Sequence, residues 1–123
     1  MKGNPGRVLI VDDTSLVREL LRDFLASMGH ELATAASGAN ALEVVPVFQP
    51  DVILTDMAMP GMSGADLLDA LRRAGVTVPV ILISGTPITV PQGFFELLRK
   101  PFDLQKLGEV VTAAIDQGRT EGA

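Results

Sequence analysis

The chain has 123 residues, 47% of them apolar and 20% charged, which is enough for one soluble domain built on a single core. A net charge of −5 without a long basic run argues against direct nucleic-acid binding, and the absence of cysteine excludes disulfides, thiol catalysis and thiolate metal sites. No apolar run approaches the roughly 20 residues that span a bilayer, and Met1–Gly6 lacks the apolar stretch of a secretory signal; no membrane contact and a cytoplasmic location are expected.

Residues 1–6 read as a flexible lead-in. Arg7–Val11 is a continuous aliphatic run, the pattern of a strand buried on both faces, and it ends in Asp12-Asp13. Leu16, Val17, Leu20, Leu21, Phe24, Leu25 and Met28 recur at spacings of three and four, which predicts a helix closed by Gly29. His30–Ala35 is a weaker strand. Its histidine has no second histidine to pair with, so His-based triads and zinc sites are disfavoured and a surface or turn position is expected.

A second helix starts at Ser37-Gly38, with Pro46 predicting a kink or an early end. Asp51–Asp56 is the third strand, and Met59-Pro60-Gly61 forces a turn after it. The third helix starts at Ser63 or Gly64 and finishes near Gly75. Val78–Ser84 and Phe95–Lys100 are the fourth and fifth strands. Asp103 caps a last helix with Leu104, Leu107, Val110, Val111, Ala114 and Ile115 on one face, and 117–123 read as a polar tail. Strands alternating with helices call for a five-stranded, parallel, doubly wound α/β sheet, with one domain over 1–123 and its core over 7–116.

In such a sheet, functional groups collect at the carboxyl ends of the strands. Those ends carry Asp12 and Asp13, Asp56, Ser84 and Lys100. Each has an ordinary alternative: a helix cap for the acidic pair, a turn residue for Asp56, a satisfied hydroxyl for Ser84, a solvated lysine for Lys100. Together they would need separate coincidences at separate strand ends. Three converging carboxylates repel one another unless a cation lies between them, and a partly solvated all-oxygen site suits Mg2+. Beside such a metal, an aspartate can attack a phosphoryl donor in line, with Lys100 and Ser84 binding the remaining oxygens.

The acidic pair after Val11, the block Leu54-Thr55-Asp56-Met57-Ala58-Met59-Pro60-Gly61-Met62-Ser63-Gly64, Ser84-Gly85 and Lys100-Pro101-Phe102 resemble the receiver domains of two-component response regulators. The resemblance covers Arg7 to about Asp116. It implies a flavodoxin-like strand order 2-1-3-4-5 and a phosphoacceptor at Asp56, supplied by a histidine kinase or a histidine phosphotransfer protein. It also implies Mg2+ on Asp12, Asp13, Asp56 and the Ala58 carbonyl, a switch hydroxyl at Ser84, a phosphoryl contact from Lys100 and a cis Lys100–Pro101 bond. The protein is then not an enzyme beyond its own phosphorylation and dephosphorylation. It signals through protein contacts, as a monomer or a phosphorylation-dependent dimer, and the ends of the first and last helices are the expected kinase-docking surface.

Two departures bear on output. Only 16 positions separate Ser84 from Lys100, and they include Pro87, Pro91 and Gly93, so the helix that receivers place there is expected to be absent or cut to about one turn. The aromatic position three before the lysine is Leu97, with Phe94 and Phe95 nearby but facing differently in a strand. The short form resembles receivers attached to hybrid kinases and some stand-alone regulators, and a single-domain regulator is expected. A phosphorylation-independent interaction module is the second reading. The third, an aspartyl-nucleophile phosphatase, conflicts with the adjacent acids, since such enzymes use an Asp-x-Asp spacing.

Overall fold

The computed structural model describes residues 5–86 and 91–121. Five strands, β1 (Arg7–Val11), β2 (Glu31–Ala35), β3 (Val52–Asp56), β4 (Val80–Ser84) and β5 (Glu96–Arg99), form one parallel sheet in the order β2-β1-β3-β4-β5. Helices α1 (Ser15–Ser27), α2 (Gly38–Phe48), α3 (Gly64–Arg73) and α4 (Leu104–Glu121) cover it. The expected doubly wound fold and strand order are both present.

The continuous aliphatic runs of β1, β3 and β4 are buried throughout because both sheet faces are covered. One layer packs α1 and α4 on Val8, Ile10, Leu54, Ile81 and Ile83. The other packs α2 and α3 on Leu9, Val11, Ile53 and Val80. Helix α3 starts where the sequence placed it, through a capping box: the Ser63 hydroxyl accepts from the Asp66 N–H while the Asp66 carboxylate accepts from the Ser63 N–H. Asp103 caps α4, accepting from Gln105 N–H at 2.9 Å, and the predicted apolar face of that helix is buried except at Leu104, which is partly buried. No described helix is long and apolar enough to cross a membrane.

Between β4 and β5, Gly85, Thr86 and 91–95 carry no helix; residues 87–90, where part of the shortened-helix expectation falls, lie outside the described residues. Leu97 sits in β5 opposite Leu82, on the face away from Leu98 and α4. Phe94 and Phe95 precede the strand and pack into opposite layers, so neither takes the place of Leu97.

Five expectations need correction. Helix α2 does not end at Pro46; it runs on to Phe48 and closes with Gln49 in the left-handed region at φ 55°, whose N–H bonds the Val45 carbonyl. A proline near a C-terminus forfeits only one backbone bond of the last turn. Only Leu21 and Leu25 of the α1 stripe are fully buried, with Val17 and Phe24 packed beside them, while Leu16 (73% exposed) and Leu20 (54%) face outward. The stripe is broader than the surface the sheet can cover.

The other three corrections belong together. Residues 117–121 extend α4 instead of forming a separate tail, and Pro5-Gly6 are held in place. Arg119 donates to the Pro5 carbonyl at 2.8 Å and pairs with Asp51 at 3.8 Å; Asp51 in turn accepts from Arg7 N–H at 2.8 Å. His30 is buried, not at the surface, because β2 pairs with the start of β1 above it and Gly6 N–H donates to its Nδ1 at 3.1 Å. That bond requires an unprotonated Nδ1, so the neutral ring carries its proton on Nε2.

Burial lowers the proton affinity of His30 below the ordinary 6.5, and the charge of Arg119 acts in the same direction. The unfolded chain therefore takes up this proton first on acidification. The stabilisation is complete above about pH 6.5 and is lost as pH falls towards the lower folded value, by at most about 1.4 kcal/mol per pH unit. Urea titrations between pH 7.5 and 5 should show this slope in the wild type and a flatter one in His30→Gln. Equal slopes would contradict it.

Candidate phosphoryl-transfer site

The parallel register brings the functional side chains to one edge. Val11 pairs with Thr55, so Asp12 and Asp56 emerge side by side at the ends of β1 and β3. Asp56 pairs with Ile83, and Ser84 with Arg99, while Lys100 N–H donates to the Ser84 carbonyl at 2.8 Å. Strand pairing alone thus assembles residues scattered along most of the chain.

Asp12, Asp13 and Asp56 each offer a carboxylate oxygen within 4.8 Å of the others. Asp12 is 2% exposed; its Oδ1 accepts from Thr14 N–H at 2.9 Å in the turn before α1, whose N-cap is Thr14 and not Asp12, and its carbonyl accepts a bond from Arg18. Its Oδ2 is buried with no hydrogen-bond partner among the described residues. A buried carboxylate oxygen left unpaired among other carboxylates is costly, and a divalent cation of oxygen-ligand preference fits it. The chemistry of the donor set therefore suits Mg2+.

Asp56 is buried and lies 3.8 Å from Lys100 Nζ. Its proton affinity is raised above 3.8, first by burial and then by the charges of Asp12 and Asp13; Lys100 and a hydrogen bond from the Ala58 N–H oppose the rise. Lys100 keeps about a third of its side chain exposed, and the Lys100–Pro101 bond is cis, as the resemblance implied. Ala58 is exposed in the turn after β3.

Ser84 is placed at the same edge, but among the described residues every hydrogen bond of its hydroxyl is to Thr86. Sequence reasoning missed Thr86 and also Arg18, which steadies the β1–α1 turn through the Asp12 carbonyl. A hydroxyl residue two positions beyond a strand-end serine was the available signal for Thr86. No comparable local pattern marks Arg18.

The response regulator receiver domain family model matches residues 8–112. Regulator of RpoS from Escherichia coli K12 is 37% identical over 116 residues, covering 89% of this chain and 34% of that protein. The sensor histidine kinase RcsC of the same strain is 32% identical over 118 residues, covering 91% of this chain and 12% of the kinase. The chain therefore spans about a third or less of the length of these curated relatives. A response regulator receiver domain protein from Clostridium thermocellum superposes with a TM-score of 0.85 at 30% identity, covering 93% of this chain and 97% of that one.

Proposed function

This chain belongs to the response regulator receiver domain family of two-component signalling, and from that membership we propose that it accepts a phosphoryl group on Asp56 from a histidine kinase or a histidine phosphotransfer protein. One observation carries the reading: three carboxylates converge within 4.8 Å, and one of the two buried ones, Asp56, faces a lysine ammonium at 3.8 Å. A purely structural cluster gains nothing from that repulsion.

In the transfer, an Asp56 carboxylate oxygen forms a bond to phosphorus as the phosphorus–nitrogen bond of the donor phosphohistidine breaks, and the imidazole leaves with the electron pair. Asp12, Asp13, Asp56 and the Ala58 carbonyl would hold Mg2+, which when bound supplies the positive charge that offsets the carboxylates and the phosphoryl oxygens. Lys100 holds the Asp56 carboxylate ionised and then meets a phosphoryl oxygen. Ser84 meets another once its hydroxyl is released. Hydrolysis of the acyl phosphate returns the chain to its starting state, so the only turnover proposed is its own phosphorylation and dephosphorylation. Output passes through contacts with a downstream protein, in the cytoplasm.

Incubation with Mg2+ and acetyl phosphate should add one acid- and base-labile phosphoryl group by mass spectrometry, and Asp56→Asn should abolish it. An adduct that persists in Asp56→Asn would overturn the assignment. RcsC, a relative by sequence, is itself a sensor histidine kinase, which supports a kinase as the phosphoryl source.

A further inference from the structure

The Ser84 hydroxyl has one proton to donate and two lone pairs to offer. Thr86 addresses all three. The Ser84 O–H donates to the Thr86 carbonyl at 3.1 Å, the Thr86 N–H donates to Ser84 Oγ at 3.2 Å, and the two hydroxyl oxygens lie 3.1 Å apart. Ser84 itself is 2% exposed, so water cannot readily substitute for these partners. One residue therefore saturates the hydroxyl that the phosphoryl group needs.

The turn that makes this possible is local. Ser84 ends β4, where its carbonyl is committed to Lys100 N–H at 2.8 Å, so its backbone is fixed by the sheet. Gly85 follows with no side chain to crowd the bend; a Cβ there would meet only Lys100 Cδ, at 3.9 Å. Thr86 then folds its amide, carbonyl and hydroxyl back onto the serine, the arrangement of a hydroxyl-stabilised turn.

We propose that Thr86 is a positioning residue that parks the Ser84 hydroxyl in the unphosphorylated chain, and that its side chain sets the balance between the parked and the phosphoryl-bound arrangements. This rests on the assignment of Asp56 as phosphoacceptor. A Ser84 hydroxyl that turns towards a phosphoryl oxygen surrenders its contacts to both backbone groups of Thr86, so the Ser84-Gly85-Thr86 turn opens with it. With Leu97 at the place where an aromatic switch was sought, this turn is the element next to the site that a phosphoryl group displaces directly.

The test is a cycle of Thr86→Val, Thr86→Ser, Ser84→Ala and the Ser84→Ala/Thr86→Val pair, read as the acetyl phosphate concentration that half-phosphorylates the protein in Mg2+. Valine keeps the shape and removes the hydroxyl; one lost hydrogen bond in the parked state corresponds to a roughly two- to tenfold lower half-saturating concentration. Thr86→Ser should behave as the wild type, and Thr86→Val should have no further effect on a Ser84→Ala background. An unchanged value in Thr86→Val, or the same change with and without Ser84, overturns the proposal. The χ1 rotamer of Ser84, measured by NMR couplings in the unphosphorylated protein, gives a second readout that needs no chemistry at Asp56. It should be single in the wild type and averaged in Thr86→Val. If the wild type takes no phosphoryl group, the functional assignment fails, while this rotamer still decides whether Thr86 parks Ser84: an identical rotamer in both proteins rejects it.

Discussion

Replacing Gly64 with alanine should lower the unfolding free energy by about 3 kcal/mol, at the upper end for overpacking by a single methyl. A Cβ at Gly64 would lie 2.7 Å from the Asp56 carbonyl oxygen, 3.0 Å from Leu82 Cδ1 and 3.2 Å from Met57 Cα. Two of these three atoms are backbone. They cannot swing aside, because Gly64 N–H also bonds the Met57 carbonyl at 2.9 Å and Met57 N–H bonds the Ile83 carbonyl at 2.9 Å. The start of α3 is therefore clamped onto the end of β3, and relief of the clash shifts the strand end that carries Asp56. Phosphorylation by acetyl phosphate should slow in the same variant.

Gly108→Ala is the matched control. Its Cβ would meet Met28 Sδ at 2.9 Å, but that atom is near the tip of a flexible, partly exposed side chain, and the helix interior gains up to about 1 kcal/mol from alanine. Its stability should stay within about 1 kcal/mol of the wild type in urea. Equal effects of the two substitutions would show that the β3–α3 approach yields as easily as a methionine tip.

Asp56→Asn should stabilise the metal-free protein at neutral pH, although it removes the residue on which function is proposed to depend. Two carboxylates near the 4.8 Å limit of this cluster repel by about 3 kcal/mol at an effective dielectric of about 20. Asp56 meets two such neighbours, Asp12 and Asp13, and by the same measure the Lys100 ammonium at 3.8 Å returns about 4 kcal/mol of their sum. Burial adds to the cost of the charge, and the net gain on neutralisation should be about 1–2 kcal/mol.

The sign with pH follows from the raised proton affinity of Asp56. A carboxylate whose folded value lies above its unfolded value favours the folded state below the unfolded value, and that advantage is lost as pH rises through the folded one. The advantage of Asp56→Asn is therefore absent near pH 4, grows through the raised folded value and is complete above it. Urea denaturation in EDTA from pH 4.5 to 8 measures this directly. Mg2+ should reverse the order, since an ion held at 100 times its dissociation constant adds about 2.7 kcal/mol to the wild type and less to a variant with one ligand fewer. A metal-free Asp56→Asn that is less stable than the wild type at pH 7 would contradict the electrostatic account.

The alternation of strands and helices, the burial of β1, β3 and β4, and the convergence of Asp12, Asp13, Asp56, Ser84 and Lys100 were all legible in the residues alone. Each is a consequence of local periodicity combined with one general rule about where parallel sheets collect their side chains. The lack of a helix at Gly85-Thr86 and 91–95 was legible for the same reason: proline and glycine disfavour a helix whatever surrounds them.

Features that depend on contacts between distant segments were not legible in this way. Leu16 and Leu20 belong to the apolar periodicity of α1 as fully as Leu21 and Leu25 do, yet the sheet is too narrow to cover both rows. His30 is buried because Gly6 and the paired starts of β1 and β2 close over it, and α4 continues past Gln117 where Arg119 reaches Pro5 and Asp51. The hydroxyl of Ser84 was placed correctly at its strand end, but its direction was not. A side chain's position is set by the strand that carries it, whereas its orientation is set by the hydrogen-bond partner that competes best for it, and at Ser84 that partner is Thr86.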